Sequence, residues 1–178
     1  LYVASNRGRD KTAIYEFNID KVQERELIFE DEKVDVANLM FSRKRKVLTG
    51  VSYNRAKTKK VFFDDWRGDI QIKLEYQLSG YEVGITSFSK DETKAIVVAY
   101  SDKSRGEYYF YDTETNKLTS LGKISPWLNE DHMAEMVPIA YTSRNGLTIN
   151  GYLTIPKDSD GKNLPIVDSF VLLNKFTN

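Results

Sequence analysis

The sequence predicts an all-β fold. Apolar runs of about four to eight residues recur at 1–5, 12–19, 26–29, 37–41, 47–53, 60–63, 82–88, 95–100, 107–112 and 118–121, the usual strand length. Turn-forming stretches separate them: Asn6-Arg7-Gly8, Ser42-Arg43-Lys44-Arg45, Ser89-Lys90-Asp91-Glu92, Ser101-Asp102 and Arg105-Gly106. The 11 Tyr and 9 Phe among 178 residues favour the pleated, half-buried surface of a sheet. A third observation is internal likeness. Sliding the chain by 47 residues brings Phe41-Ser42 onto Phe88-Ser89 and Tyr53 onto Tyr100, without a gap as far as Asp65 on Asp112. Val61-Phe62-Phe63 falls on Tyr108-Tyr109-Phe110. A unit of four short strands repeating every 40–50 residues or so is the pattern of a β-propeller blade.

The elements follow in order. Val3-Ala4-Ser5-Asn6 and Ile14-Tyr15-Glu16-Phe17 echo Val98-Ala99-Tyr100-Ser101 and Tyr108-Tyr109-Phe110-Tyr111, so the opening segment reads as the end of one blade. Ala37 to Asp65 and Gly84 to Asp112 read as two further three-stranded blade cores, in which Phe41 matches Phe88 and Phe62 matches Tyr109. Propellers close with about 4–8 blades, so the architecture expected is antiparallel four-stranded blades of an incomplete β-propeller. Open blade edges then offer a route to self-association.

Residues 66–78, WRGDIQIKLEYQL, carry two periods at once. Ile70, Ile72, Leu74, Tyr76 and Leu78 alternate with polar residues as in a strand. Trp66, Ile70, Leu74 and Leu78 also stand four apart, as on a helix. Periodicity leaves both open. Ser125-Pro126-Trp127-Leu128 opens like a helical turn. Residues 137–143 and 147–155 form a hairpin around Arg144-Asn145-Gly146. Leu164-Pro165-Ile166-Val167 starts another buried strand.

Composition excludes several chemistries. With no cysteine there is no disulfide, zinc–thiolate site or thiol nucleophile. A formal net charge of +0 gives no global attraction to nucleic acid or acidic membrane, and no apolar run reaches the roughly 18 residues of a membrane span. The chain starts at Leu1 rather than Met, as a cut or processed chain would.

Residues 138–156, PIAYTSRNGLTINGYLTIP, resemble the junction of the prolyl oligopeptidase family of serine peptidases, which includes acylaminoacyl and dipeptidyl peptidases. In that family the junction lies where the β-propeller hands over to the α/β-hydrolase domain. Lys162-Asn163-Leu164-Pro165-Ile166-Val167 is similar to the strand entering that domain. Phe62-Phe63-Asp64-Asp65, Ser87-Phe88-Ser89-Lys90-Asp91 and Tyr108-Tyr109-Phe110-Tyr111-Asp112 look like its last blades. The resemblance implies a short helix at 66–78. It also implies three regions: partial blades at 1–137, hairpin and linker at 138–167, and a non-family tail at 168–178. Asp168-Ser169-Phe170-Val171 stands where the family has its His-Gly-Gly-Pro loop. The expected reading is a truncated chain without the catalytic domain, as a frameshift would produce. The propeller would then gate peptide access only in the complete enzyme.

No residue earns a catalytic, cofactor or metal assignment. Gly50-Val51-Ser52-Tyr53-Asn54 lacks the second glycine of a nucleophile elbow. His132, with Asp131 and Glu135 nearby, reads as part of a solvated turn, and Asn129-Glu130-Asp131 as a helix-terminal charge cluster. The eight Lys and Arg between Val36 and Phe63 read as a solvated hairpin edge rather than a phosphate-binding strip. Asp64-Asp65-Trp66 is similar to the acidic motif that holds a substrate amine in dipeptidyl peptidases, but the spacing of further acids fails. Tyr108 to Tyr111 read as blade core. The expectation is therefore no cofactor, no nucleic-acid or membrane partner and no catalysis by this chain. The alternative is a non-enzymatic propeller-type interaction module.

Overall fold

The computed structural model describes residues 1–36 and 38–165. Ala37, the end of the strand expected at 164–167 (Ile166 and Val167) and the tail 168–178 lie outside the described residues. One compact unit spans Leu1–Asn129 and a second begins at Glu130.

In the first unit, β1 (Tyr2–Ser5), β2 (Ala13–Asn18) and β3 (Gln23–Phe29) form an antiparallel sheet in that order. A second sheet holds β4 (Asn38–Ser42), β5 (Val47–Asn54) and β6 (Thr58–Phe62). Helix α1 (Asp65–Gln77) follows. The third sheet runs β7 (Glu82–Phe88), β8 (Lys94–Tyr100), β9 (Glu107–Asp112) and β10 (Lys117–Lys123). This is the all-β fold of blade-like sheets that the sequence predicts, with one of the three sheets carrying four strands.

Strand pairing tests the repeat directly, because a one-residue slip would turn every side chain to the other face. Val3 lies opposite Tyr15, Gly50 opposite Phe62 and Val97 opposite Tyr109. Each pair is the previous one displaced by 47. Ser5↔Ala13, Ser52↔Lys60 and Ala99↔Glu107 repeat the same shift. Phe41↔Leu48 and Phe88↔Ala95 do so in the preceding strands. The opening segment needs one correction: the equivalent of Val3 is Val97, not Val98, because each faces the matching tyrosine. Beyond Phe41 and Phe88 the likeness breaks. A bulge lies between Met40 and Phe41 in one sheet and between Ile85 and Ser87 in the other. The extra residue is on β5 in the first case and on β7 in the second, which shifts β4 against β7 by two places.

Residues 70–76 lie 47 beyond β3 and 47 before β10, and they fall within α1. The helix thus occupies the sequence position of the outer strand. Its start is capped: the Asp64 carboxylate accepts the Arg67 N–H at 2.9 Å from an extended backbone. Burial settles the two competing periods. Ile70, Leu74 and Leu78 are buried, whereas Ile72 and Tyr76 are 66% and 85% exposed, so the stripe at four-residue spacing faces inward.

Two apolar cores hold the unit. Ile14, Val36 and Val51 join the first and second sheets, with Phe29 against Tyr53 at 5.7 Å between ring centres. Ile70, Leu74 and Leu78 of α1 join Val83, Ala95, Val97, Ala99 and Tyr111 of the third sheet. Tyr111 is fully buried, and its hydroxyl donates to the Asn116 side-chain oxygen at 2.9 Å.

The second unit holds a turn of 3-10 helix, Glu130–His132, and the hairpin of β11 (Met136–Thr142) and β12 (Thr148–Thr154). Residues 125–128 make a single turn, the Leu128 N–H donating to the Ser125 carbonyl. In the hairpin loop the Gly146 N–H donates to the Ser143 carbonyl and the Ser143 N–H to the Leu147 carbonyl. Gly146 has φ +83°. This is a type I turn closed by a left-handed glycine, the three-residue hairpin loop, and it explains why Asn145 itself keeps a negative φ.

Candidate functional site

Ser52 is a mid-strand residue of β5, half-buried and paired on both sides, with Asn38 and Lys60. It does not sit on the strained strand-to-helix turn that exposes a serine nucleophile. His132 ends the 3-10 turn and is exposed in the other compact unit. Beside it, the Asp131 carbonyl accepts Lys157 Nζ at 2.6 Å. Among the described residues no three His, Cys, Asp or Glu side chains cluster as a metal site.

The basic stretch is not a bare solvated edge. Arg45 forms a two-pronged pair with Asp64, at 2.5 and 3.0 Å, and lies 4.9 Å from the Trp66 ring centre. Arg55 pairs with buried Asp31 at 2.6 Å, tying the second sheet to the segment after β3. Lys60 Nζ donates to the Val83 carbonyl at 2.6 Å, and burial pushes its pKa below the ordinary lysine value. Lys44 Nζ reaches the Asp91 carbonyl at 3.0 Å. These cations bind one sheet to the next, so half of the eight-cation run has structural partners. Asp64 is consumed as helix cap and Arg45 partner. Both roles hold its carboxyl below the usual range, the Arg45 hydrogen bond most of all.

An open cleft of about 990 Å³ lies between the β4–β5 turn region, the start of α1 and the β7–β8 turn region. Phe41 and Phe88, equivalent in the repeat, both line it. On its floor is Arg67, only 5% exposed. The Arg67 guanidinium lies 5.1 Å from the Phe62 ring centre and 5.8 Å from that of Phe88. Its Nη1 donates to Gln71 Oε1 at 3.3 Å. Gln71 is locked in turn, its Nε2 donating to the Val83 carbonyl at 2.8 Å and Glu75 Oε1 at 2.7 Å. Among the described residues no carboxylate pairs with Arg67. Burial lowers its pKa to about 10, which still leaves it charged at neutral pH. At the cleft's edge Ser42 Oγ donates to buried Glu92 at 2.6 Å, and Arg45 lies 3.6 Å from the same carboxylate.

Sequence reasoning missed Arg67. The signal was present: Arg67 and Gln71 fall on the same helical face as Ile70, Leu74 and Leu78, so a helix at 66–78 places a cation on its buried side.

No family model matches the chain. The chain is 29% identical over 165 residues to dipeptidyl aminopeptidase BIII of Pseudoxanthomonas mexicana. The similarity supports a peptidase relationship. It covers 92% of this chain but 23% of that protein, so the chain spans about a quarter of the length of the curated relative it matches.

Proposed function

We propose that residues 1–137 are blades of the gating propeller of a prolyl oligopeptidase-type serine peptidase, and that the hairpin begins its handover to an α/β-hydrolase domain. The observation that carries the reading is similarity to a dipeptidyl aminopeptidase along 92% of the chain. The shared 47-residue register of three sheets supports it. So does the hairpin, where Val137, Ile139 and Tyr141 fall on one face with Leu153 and Ile149 and all five remain exposed. Such a face gains by docking on further structure, since an isolated two-stranded hairpin is marginal in water.

In this reading the segment restricts which peptides reach an active site and does not cut them. Acyl transfer requires a nucleophile, a base and oxyanion donors held together. Ser52, paired within a sheet, and exposed His132 do not meet that need. The test is hydrolysis of dipeptidyl chromogenic substrates by the full chain and by Ser52→Ala and His132→Ala. No turnover above the substrate's own hydrolysis is expected. Turnover abolished by either substitution would overturn the reading.

A further inference from the structure

We propose that the cleft floored by Arg67 binds a small carboxylate with an apolar or aromatic body, the guanidinium taking the carboxylate and the flanking rings taking the body. Removing a guanidinium from water is costly unless a partner replaces the lost hydration. Here the partners are one amide oxygen, two ring faces and the Met40 sulfur at 4.0 Å. A guanidinium has five N–H donors, so most of its donating capacity is uncommitted. Neither ring nor sulfur neutralises a full charge, the Glu75 and Asp64 carboxylates act on Arg67 only through space without an ion-pair contact, and a bound carboxylate would meet it with matching planar geometry.

The walls favour the same ligand. Arg43 and Lys90 line the cleft as further positive charge. The one carboxylate of its lining, Glu92, is already taken by Ser42 and Arg45. Phe41 and Trp66 are 49% and 38% exposed, which leaves aromatic surface open beside the cation. The wall is mixed: the apolar Leu39, Met40, Phe41, Trp66, Ile85 and Phe88 stand among mostly polar and cationic side chains, and the volume lies within the usual range of a small-molecule site. The assignment goes beyond the peptidase reading and stands without it.

Trp66 supplies the readout. The chain has two tryptophans, and Trp127, 73% exposed, is replaced by Phe so that Trp66 alone reports. The full chain is titrated with N-acetylphenylalanine, with its neutral amide and with inorganic phosphate. The acid should change Trp66 emission saturably, and the amide should bind at least tenfold more weakly. Arg67→Met should weaken the acid by at least tenfold. Arg43→Gln with Lys90→Gln should weaken it less and reduce its salt dependence, while Arg25→Gln on the first sheet should change nothing. If Arg67→Met fails to fold, the comparison of acid with amide in the otherwise intact chain decides. Equal binding of acid and amide would leave Arg67 a structural cation between two rings and overturn the proposal. A flat acid titration would also overturn it, as would phosphate binding as tightly as the acid.

Discussion

The second and third sheets share their pairing but not their outer edge. One is followed by α1 and the other by β10, and the divergence begins at a single turn. At the end of β9, Asp112 Oδ1 accepts the Thr115 N–H at 3.0 Å, and at the end of β2, Asn18 Oδ1 accepts the Lys21 N–H at 2.9 Å. Asp64 after β6 makes the same bond three residues on, to Arg67, one residue earlier in the 47-residue register. All three segments therefore start a helical turn. Four residues after the cap the paths part. Val22 and Asn116 take left-handed backbone, with φ of +48° and +57°, and the chain reverses into an outer strand. Gly68, the residue best suited to that conformation, stays helical, and its N–H donates to the Asp64 carbonyl at 3.0 Å. The downstream sequence decides the outcome. Ile70, Leu74 and Leu78 gain burial against the third sheet only if the helix continues. Local turn chemistry proposes the reversal, and tertiary burial overrides it.

The sharpest way to break this comparison is Leu74→Ala. The side chain is fully buried, so about 2–5 kcal/mol should be lost, read from urea or thermal unfolding. A loss well below that range would mean that the helix does not hold the third sheet.

Next in size is a glycine contrast. Gly50 stands where the first and third sheets have Val3 and Val97, yet an added Cβ there would overlap the Val61 carbonyl oxygen. Gly50→Ala should therefore cost about 1–3 kcal/mol. Gly84→Ala, whose Cβ would meet only a Val98 methyl at 3.5 Å, should cost clearly less. Equal losses would deny the second sheet its tighter packing.

Acid should weaken both sheets. The Asp64 carboxyl is held low chiefly by Arg45, and that of Asp112 chiefly by Lys94. Asp91, bonded first by the Ser89 hydroxyl, is held at about 2. For carboxyls depressed in the folded state, the stabilisation is complete above the unfolded value of roughly 3.9 and fades as pH falls through the folded values. Urea midpoints should be level near neutrality and drop below about pH 4. Asp64→Asn should make that drop shallower, and a midpoint that stays constant to pH 2.5 or so would contradict these pairings.

The smallest effect has the opposite sign. An added Cβ at Gly68 meets Phe62 Cβ at 3.6 Å, an ordinary contact, and the backbone is helical. Gly68→Ala should thus stabilise the chain by about 0.4–1 kcal/mol. A loss of stability would indicate that Gly68 needs the left-handed conformation seen at Val22 and Asn116.

The strands were legible because period-two patterning and turn residues mark them locally, and the Phe62–Tyr109 match because it lies in strands without an intervening bulge. The two-place shift of β4 was not legible. A bulge at Thr49 or Thr86 depends on packing across strands, which no single segment encodes. The helix could be read only through resemblance, since its residues satisfy both periods. The cleft escaped because Arg67 resembles any surface arginine until helix phase and neighbouring sheet are both known. Likewise Arg45 and Arg55 read as solvated charge because their acids, Asp64 and Asp31, are 19 and 24 residues away.

The central claim is that the three sheets are copies of one unit 47 residues long. Cross-strand backbone NOEs in isotope-labelled full chain test it most directly. The account predicts contacts between Val3 and Tyr15, between Gly50 and Phe62, and between Val97 and Tyr109. A second sheet with Gly50 opposite Val61 or Phe63, while the other two pairs hold, would contradict it.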